Sequence, residues 1–267
     1  MAMKLGIIVD PDVNSAKWAA GKGLHYLEYC YNGGADIDIL EARVPELKKV
    51  FAEYDLHLGA LGRWNEKKIA PDGTFLEESM QNTKRLIDIA AELGAPVFNT
   101  GVNYVEELTY LDNLNASVNF LRTVVDYGKE KGVKVAVYNC DWGGNFIRDP
   151  ATWRIVLEAV PELGIKFDPS HCINVHHGDY LAEILEFGDR ILHFHVKGTL
   201  NIAGEHVDDP PAGLDGTNWN AIFGLLYAKG YDGMVSIEPH SRTWEGDLGD
   251  WGIDYTIQYI SKMLYKG

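Results

Sequence analysis

Eight short apolar runs recur along the chain, and each is followed by a longer segment of helical period. The runs are KLGIIVD (4–10), LHYLEYC (24–30), HLGALGRW (57–64), APVFNTGV (95–102), KVAVYNC (134–140), GIKFDPSH (164–171), ILHFHVKG (191–198) and MVSIEPH (234–240). The helical segments lie near 12–21, at 37–54, 76–94, 115–132, 149–160, 178–188 and 216–230, and in the closing WGIDYTIQYISKMLYKG (251–267). Strands that alternate with helices imply parallel pairing through crossover connections. Eight such units in 267 residues fit a closed (β/α)8 TIM barrel better than an open doubly wound sheet. No linker, low-complexity tract or shift of composition divides the chain, so a single barrel domain over 1–267 is expected.

Composition removes several function classes. A hydrophobic fraction of 46% and a charged fraction of 24% are ordinary for a globular protein with a large core. A net charge of −15 speaks against gripping phosphate backbones, so no nucleic-acid partner is expected. Cys30, Cys140 and Cys172 form neither a CxxC pair nor a disulfide framework, which points to a reducing cytoplasm. MAMKLGIIVD lacks the pattern of a signal peptide, and no apolar run approaches the length of a membrane helix. A soluble cytoplasmic protein without a membrane partner is the expectation, with a homo-oligomer left open.

In such barrels the chemistry sits at the C-terminal ends of the strands. Glu28 and Cys30, Arg63 and Asn65, Asn99, Tyr138, Asp168 and His171, His193, His195 and Lys197, and Glu238 and His240 all fall there. Residues two apart in a strand share a face. Leu192, Phe194 and Val196 therefore read as the set facing the helices, and His193, His195 and Lys197 as the set facing the barrel interior. The same alternation turns Ser236, Glu238, His240, Lys166, Asp168, Ala136, Tyr138 and Cys140 inward.

Taken singly these groups are ordinary: an interior histidine, a helix-capping Asp paired with Lys166, a strand-end Glu. Together, Asp168, His195 and Glu238 are two carboxylates and an imidazole at one end of neighbouring strands. Buried carboxylates need a cation, and this donor set suits Mn²⁺ or Mg²⁺ first, with Co²⁺ and Zn²⁺ admitted.

The segments FDPSH (167–171), HFHVKG (193–198) and GLDGTNWNAIFGLLYAKGYDGMVSIEP (213–239) resemble the xylose isomerase-like TIM-barrel superfamily. Within it, the likeness is greatest to the sugar phosphate isomerase/epimerase group and its ketose 3-epimerases. The resemblance implies that Asp168 and His195 bind a divalent metal and that Glu238 is both ligand and acid/base. It also implies that His171 contacts substrate. The arginine that the epimerases carry six residues beyond the metal histidine falls on Asn201. Their fifth-strand glutamate, the other ligand and base, falls on Tyr138.

With one carboxylate base in place, the expected function is a divalent-metal-dependent sugar isomerase or epimerase-like enzyme. It would act through an enediolate on a ketose, an aldose or a sugar phosphate. Glu238 is then the base, Tyr138 a candidate acid and Lys197 a partner for the enediolate charge. His171, Glu28, His193, Trp64 and Trp142 are candidate substrate contacts. A metal-assisted lyase or hydrolase acting on 3-keto-glycosides needs the same parts, and a degenerate sugar-binding barrel is a further alternative. The superfamily's apurinic-site endonucleases use a denser zinc cluster than these 9 histidines offer.

Overall fold

The computed structural model describes residues 2–265, so the last two positions of the closing helical segment lie outside the described residues. Eight parallel strands close a barrel: β1 (Lys4–Val9), β2 (Tyr26–Cys30), β3 (His57–Gly62), β4 (Val97–Thr100), β5 (Lys134–Tyr138), β6 (Gly164–Phe167), β7 (Ile191–Val196) and β10 (Met234–Ile237). They pair in chain order, and β10 returns to β1. The helices are α1 (Val13–Gly21), α2 (Ile37–Tyr54), α3 (Glu77–Glu92), α4 (Tyr110–Lys131), α5 (Pro150–Ala159), α6 (Pro169–Asn174), α7 (Tyr180–Phe187), α8 (Trp219–Ala228) and α9 (Gly246–Ser261). The fold is the (β/α)8 TIM barrel that the eightfold rhythm implies.

Two additions were not visible in the periodicity. Helix α6 follows β6 directly, where the sequence reads as the tail of a strand. Asp168 is its N-cap, accepting from the Ser170 N–H at 2.9 Å, and Pro169 occupies the first turn. An Asp cap followed by Pro is a strong helix start. The second addition is an antiparallel hairpin, β8 (Leu200–Ile202) and β9 (Glu205–Asp208), inserted after β7. It is tied to the segment beyond β10 by Ser241 Oγ donating to Asp208 at 2.7 Å. His240 also pairs with Asp209 there, at 3.2 Å.

The outward faces of the strands pack on the helices, as Phe167 stacked on Phe194 at 5.8 Å illustrates. One assignment of phase is corrected. Leu192 faces the barrel interior, packing with Ala60, Val97 and Ala136, and not the helices. The cause is an irregularity between β6 and β7: Ile165 pairs with Ile191, but Lys166 pairs with His193. A bulge inserts an extra residue and breaks the strict alternation. From His193 onward the alternation resumes.

Strand β5 carries a second positioning device just past its end. Buried Asn139 accepts from the Asp168 N–H at 3.0 Å and donates to the Asp168 carbonyl at 2.8 Å. Its amide thus replaces the ladder bonds that β5 and β6 no longer make at this level. Asn139→Leu strands the buried Asp168 N–H, while the Asp168 carbonyl keeps the His171 N–H at 3.2 Å, and the change is expected to cost about 1–3 kcal/mol of unfolding free energy. Urea unfolding that shows a loss below about 1 kcal/mol would mean that the Asp168 backbone finds other partners.

Candidate functional site

A cavity of about 490 Å³ opens at the C-terminal mouth of the barrel. His195, Lys197 and Glu238 form one wall, from β7 and β10, and Lys166 and His171 another, from β6 and α6. Trp64, Trp142, Cys30 and Cys140 close the remaining sides.

Strand alternation places His193, His195 and Lys197 on one face of β7. Glu238 follows β10 and precedes Pro239, which holds it extended, and its N–H donates to the Val196 carbonyl at 3.1 Å. His195 is consequently clasped between carboxylates: Nε2 lies 2.7 Å from Glu28 Oε2, and Nδ1 lies 2.6 Å from Glu238 Oε2. With only these partners the ring carries both protons. Burial works against that charge, but Glu28 and Glu238 outweigh it and raise the His195 pKa. Burial likewise opposes ionisation of Glu28, yet His193 and His195 hold it well below the carboxylate range.

Asp168 stands immediately behind the cavity wall. Its Oδ1 caps α6, which leaves Oδ2 buried and without a hydrogen-bond partner. Oδ2 lies 3.4 Å from His171 Nε2, 3.8 Å from Lys166 Nζ and 3.9 Å from His195 Nδ1. Donor atoms of Asp168, His195 and Glu238 converge within 4.8 Å of one another. An orphaned carboxylate oxygen beside an imidazole nitrogen and a second carboxylate fits a divalent cation. These three residues would hold it and leave coordination positions open to substrate. Glu28 would then keep the Nε2 proton and aim Nδ1 at the ion, the usual outer partner of a metal-binding histidine.

The remaining groups are tuned around this set. Burial disfavours an ionised Glu238, but Lys197 and His195 hold its carboxyl well below the ordinary range. Burial also opposes the Lys197 charge, and Glu238 and Asp168 more than restore it. Lys197 Nζ lies 3.9 Å from Glu238 Oε1. Burial drives the His171 pKa down to about 4 despite nearby Asp168, so this imidazole is neutral at neutral pH.

The sequence-predicted residues separate into two sets. His171, His195, Lys197, Glu238, Trp64 and Trp142 line the cavity. Glu28 and His193 are fully buried and joined at 2.8 Å; they lie off its wall and touch the site only through the His195 clasp. Tyr138 also lies off the wall. Its ring stacks on Trp64 at 5.1 Å, and its hydroxyl lies so close to Gly101 that a Cβ there would sit 2.5 Å from it. Burial raises the phenol pKa well above its usual value, which suits a wall residue more than a proton donor. Asn201 lies on the hairpin and donates to Asn174 at 3.0 Å.

Sequence reading assigned no site role to Lys166, His240 or Asn32, all of which line the cavity. Lys166 did read as inward; its ammonium sits 5.9 Å from the Trp64 ring centroid. His240 also read as inward, by the alternation of the 234–240 run, whereas Asn32 belongs to a loop, where period-2 reasoning has no hold.

Residues 16–259 match the family described as xylose isomerase-like TIM barrel. Among solved structures, the chain is similar to D-allulose 3-epimerase from Methylomonas sp., with 18% identity over 98% of each chain and a TM-score of 0.77. It is similar to D-psicose 3-epimerase from Clostridium cellulolyticum H10, with 16% identity over 99% of this chain and 100% of the other, and a TM-score of 0.78. A third likeness is to 3-keto-D-glucoside 4-epimerase from E. coli, with 16% identity over 97% and 99% of the chains and a TM-score of 0.75. At these identities the three structures share its fold, and the family match over residues 16–259 adds the lineage: the chain belongs to the xylose isomerase-like TIM-barrel family.

Proposed function

We propose that the protein is a divalent-metal-dependent sugar isomerase or epimerase-like enzyme, moving a proton on the carbon next to a carbonyl. The observation that carries this reading is the convergence of Asp168 Oδ2, His195 Nδ1 and the Glu238 carboxylate, the last two on the cavity wall and Asp168 just behind it. Mn²⁺ or Mg²⁺ suits that donor set first. When bound, the ion supplies Lewis acidity that polarises a substrate carbonyl.

Glu238, held ionised and partly open to the cavity, takes the proton from carbon. Lys197 places its ammonium beside the carboxylate, where the negative charge of the enediolate develops, and so favours the transition state over the ground state. His171, neutral, is a hydrogen-bond partner for a sugar hydroxyl. Trp64 and half-exposed Trp142 offer aromatic surfaces to the C–H face of a sugar and exclude water.

Glu238 is the only carboxylate among the described residues lining the cavity. Proton transfer on one face, as in aldose–ketose isomerisation, therefore fits better than epimerisation by two glutamates. Elimination from a 3-keto-glycoside uses the same base, and the likeness to a 3-keto-D-glucoside 4-epimerase keeps that substrate class beside free ketoses and sugar phosphates.

The direct experiment incubates the Mn²⁺- or Mg²⁺-supplemented protein in D₂O with ketoses, sugar phosphates and 3-keto-glycosides, followed by NMR. Deuterium should enter one carbon adjacent to the carbonyl of the true substrate, and Glu238→Gln should slow entry by about 10²–10⁴-fold. Sugar-induced resonance shifts without exchange or product would instead establish a binding barrel.

Two substitutions separate the roles of residues near the ion. Glu28→Gln removes the carboxylate behind His195, and calorimetric titration should show Mn²⁺ affinity weakened by about 10–100-fold. Unchanged affinity would free His195 from that dependence. Tyr138→Phe should leave turnover nearly unchanged, because the hydroxyl abuts Gly101 off the cavity wall. A loss of about 10²–10⁴-fold would put the phenol back into proton transfer.

A further inference from the structure

A separate group of metal-ligating side chains lies between α6 and α7, away from the barrel mouth. Cys172 on α6, His176 in the following loop and Glu183 on α7 bring donor atoms within 4.8 Å of one another. Glu183 is the centre: its Oε1 lies 2.8 Å from His176 Nε2 and its Oε2 lies 3.2 Å from Cys172 Sγ. Cys172 and Glu183 are buried, and no Lys or Arg among the described residues pairs with Glu183. A buried carboxylate with only a thiol and an imidazole beside it lacks the cation that burial calls for. The surrounding chain is shaped to this cluster. A Cβ at position 178 would lie 2.1 Å from Glu183 Oε1 and 2.8 Å from His176 Nε2, so a side chain there would push the two ligands out of this arrangement.

We propose that Cys172, His176 and Glu183 form a second metal site, selective for Zn²⁺, with water as the fourth ligand. Thiolate with imidazole and carboxylate is a zinc set, whereas the mouth, lacking sulfur among its convergent ligands, accepts harder ions. Bonds of about 2.0–2.3 Å in a tetrahedron require donor separations of roughly 3.3–3.7 Å. The cluster therefore opens by several tenths of an ångström on binding, which the irregular chain between α6 and α7 accommodates. The Cys172 thiol releases its proton as the sulfur takes the metal. The bound ion clips α6 to α7 directly behind the catalytic turn. Cys172 Sγ also accepts from Asn139 Nδ2 at 3.4 Å and lies 3.7 Å from the Asp168 carbonyl oxygen. Zinc there steadies the turn that aims Asp168, without touching substrate.

The test uses the full-length protein, stripped by chelator and reloaded with Co²⁺ or Zn²⁺ alone. The wild type should show a near-ultraviolet sulfur-to-cobalt charge-transfer band. Cys172→Ser should lose it and bind one zinc fewer per chain. His176→Gln, which leaves the sulfur in place, should need more cobalt to develop the band. His195→Ala, which damages the mouth, should keep it. No band in the wild type overturns the proposal. So does a band that survives Cys172→Ser, since Cys30 or Cys140 at the mouth would then be the source. None of these outcomes depends on the sugar chemistry proposed for the mouth.

Discussion

One imidazole with a carboxylate on each nitrogen organises this barrel. Glu28 reaches His195 from β2 and Glu238 reaches it from the end of β10, so the clasp spans the closure of the sheet through β1. Burying three carboxylates (Glu28, Asp168 and Glu238) is affordable only with cations at hand. Lys166, Lys197 and His195 supply part of that charge. Asp168 Oδ2 and Glu28 Oε1 are left buried without a hydrogen bond, and of the two it is Asp168 Oδ2 that lies beside His195 Nδ1 and Glu238, where an ion is the natural completion.

Local rules aim the groups before packing fixes them. Asp-Pro-Ser starts a helix, which spends one Asp168 oxygen as a cap and turns the other toward β7. Glu-Pro keeps residue 238 extended, at the level of the β7 histidines. Alternation on β7 sends His193 down to Glu28 and His195 to both carboxylates. Asn139 then locks the Asp168 backbone to the end of β5. The resulting constellation is one carboxylate base, one ammonium beside it and a set of donors that could hold a cation, which is what the proposed enediolate chemistry calls for.

The barrel was legible because eight runs with helices between them admit few alternatives. Its details were not. Helix α4 starts at Tyr110, five positions before the segment read as helical, since Asp112 and Asn113 look like turn residues until the Thr109 cap is seen. Helix α6 was hidden in FDPSH, and the hairpin in a short polar stretch with no period to detect. Leu192 was assigned the wrong face because a bulge cannot be seen in a single strand's pattern. At the site, alternation was enough to turn His195, Lys197 and Glu238 toward one cavity and to bring Asp168 behind its wall. It could not say that Tyr138, also inward, would be walled off by Trp64, because that depends on which ring of a stacked pair meets the solvent.

The central claim is that Asp168, His195 and Glu238 share one ion at the mouth of the barrel. Anomalous diffraction from crystals soaked in Mn²⁺ measures this directly. The account predicts a peak within about 2.0–2.6 Å of Asp168 Oδ2, His195 Nδ1 and a Glu238 carboxylate oxygen. No peak at that point, or a peak that leaves any of the three outside coordination distance, would contradict it.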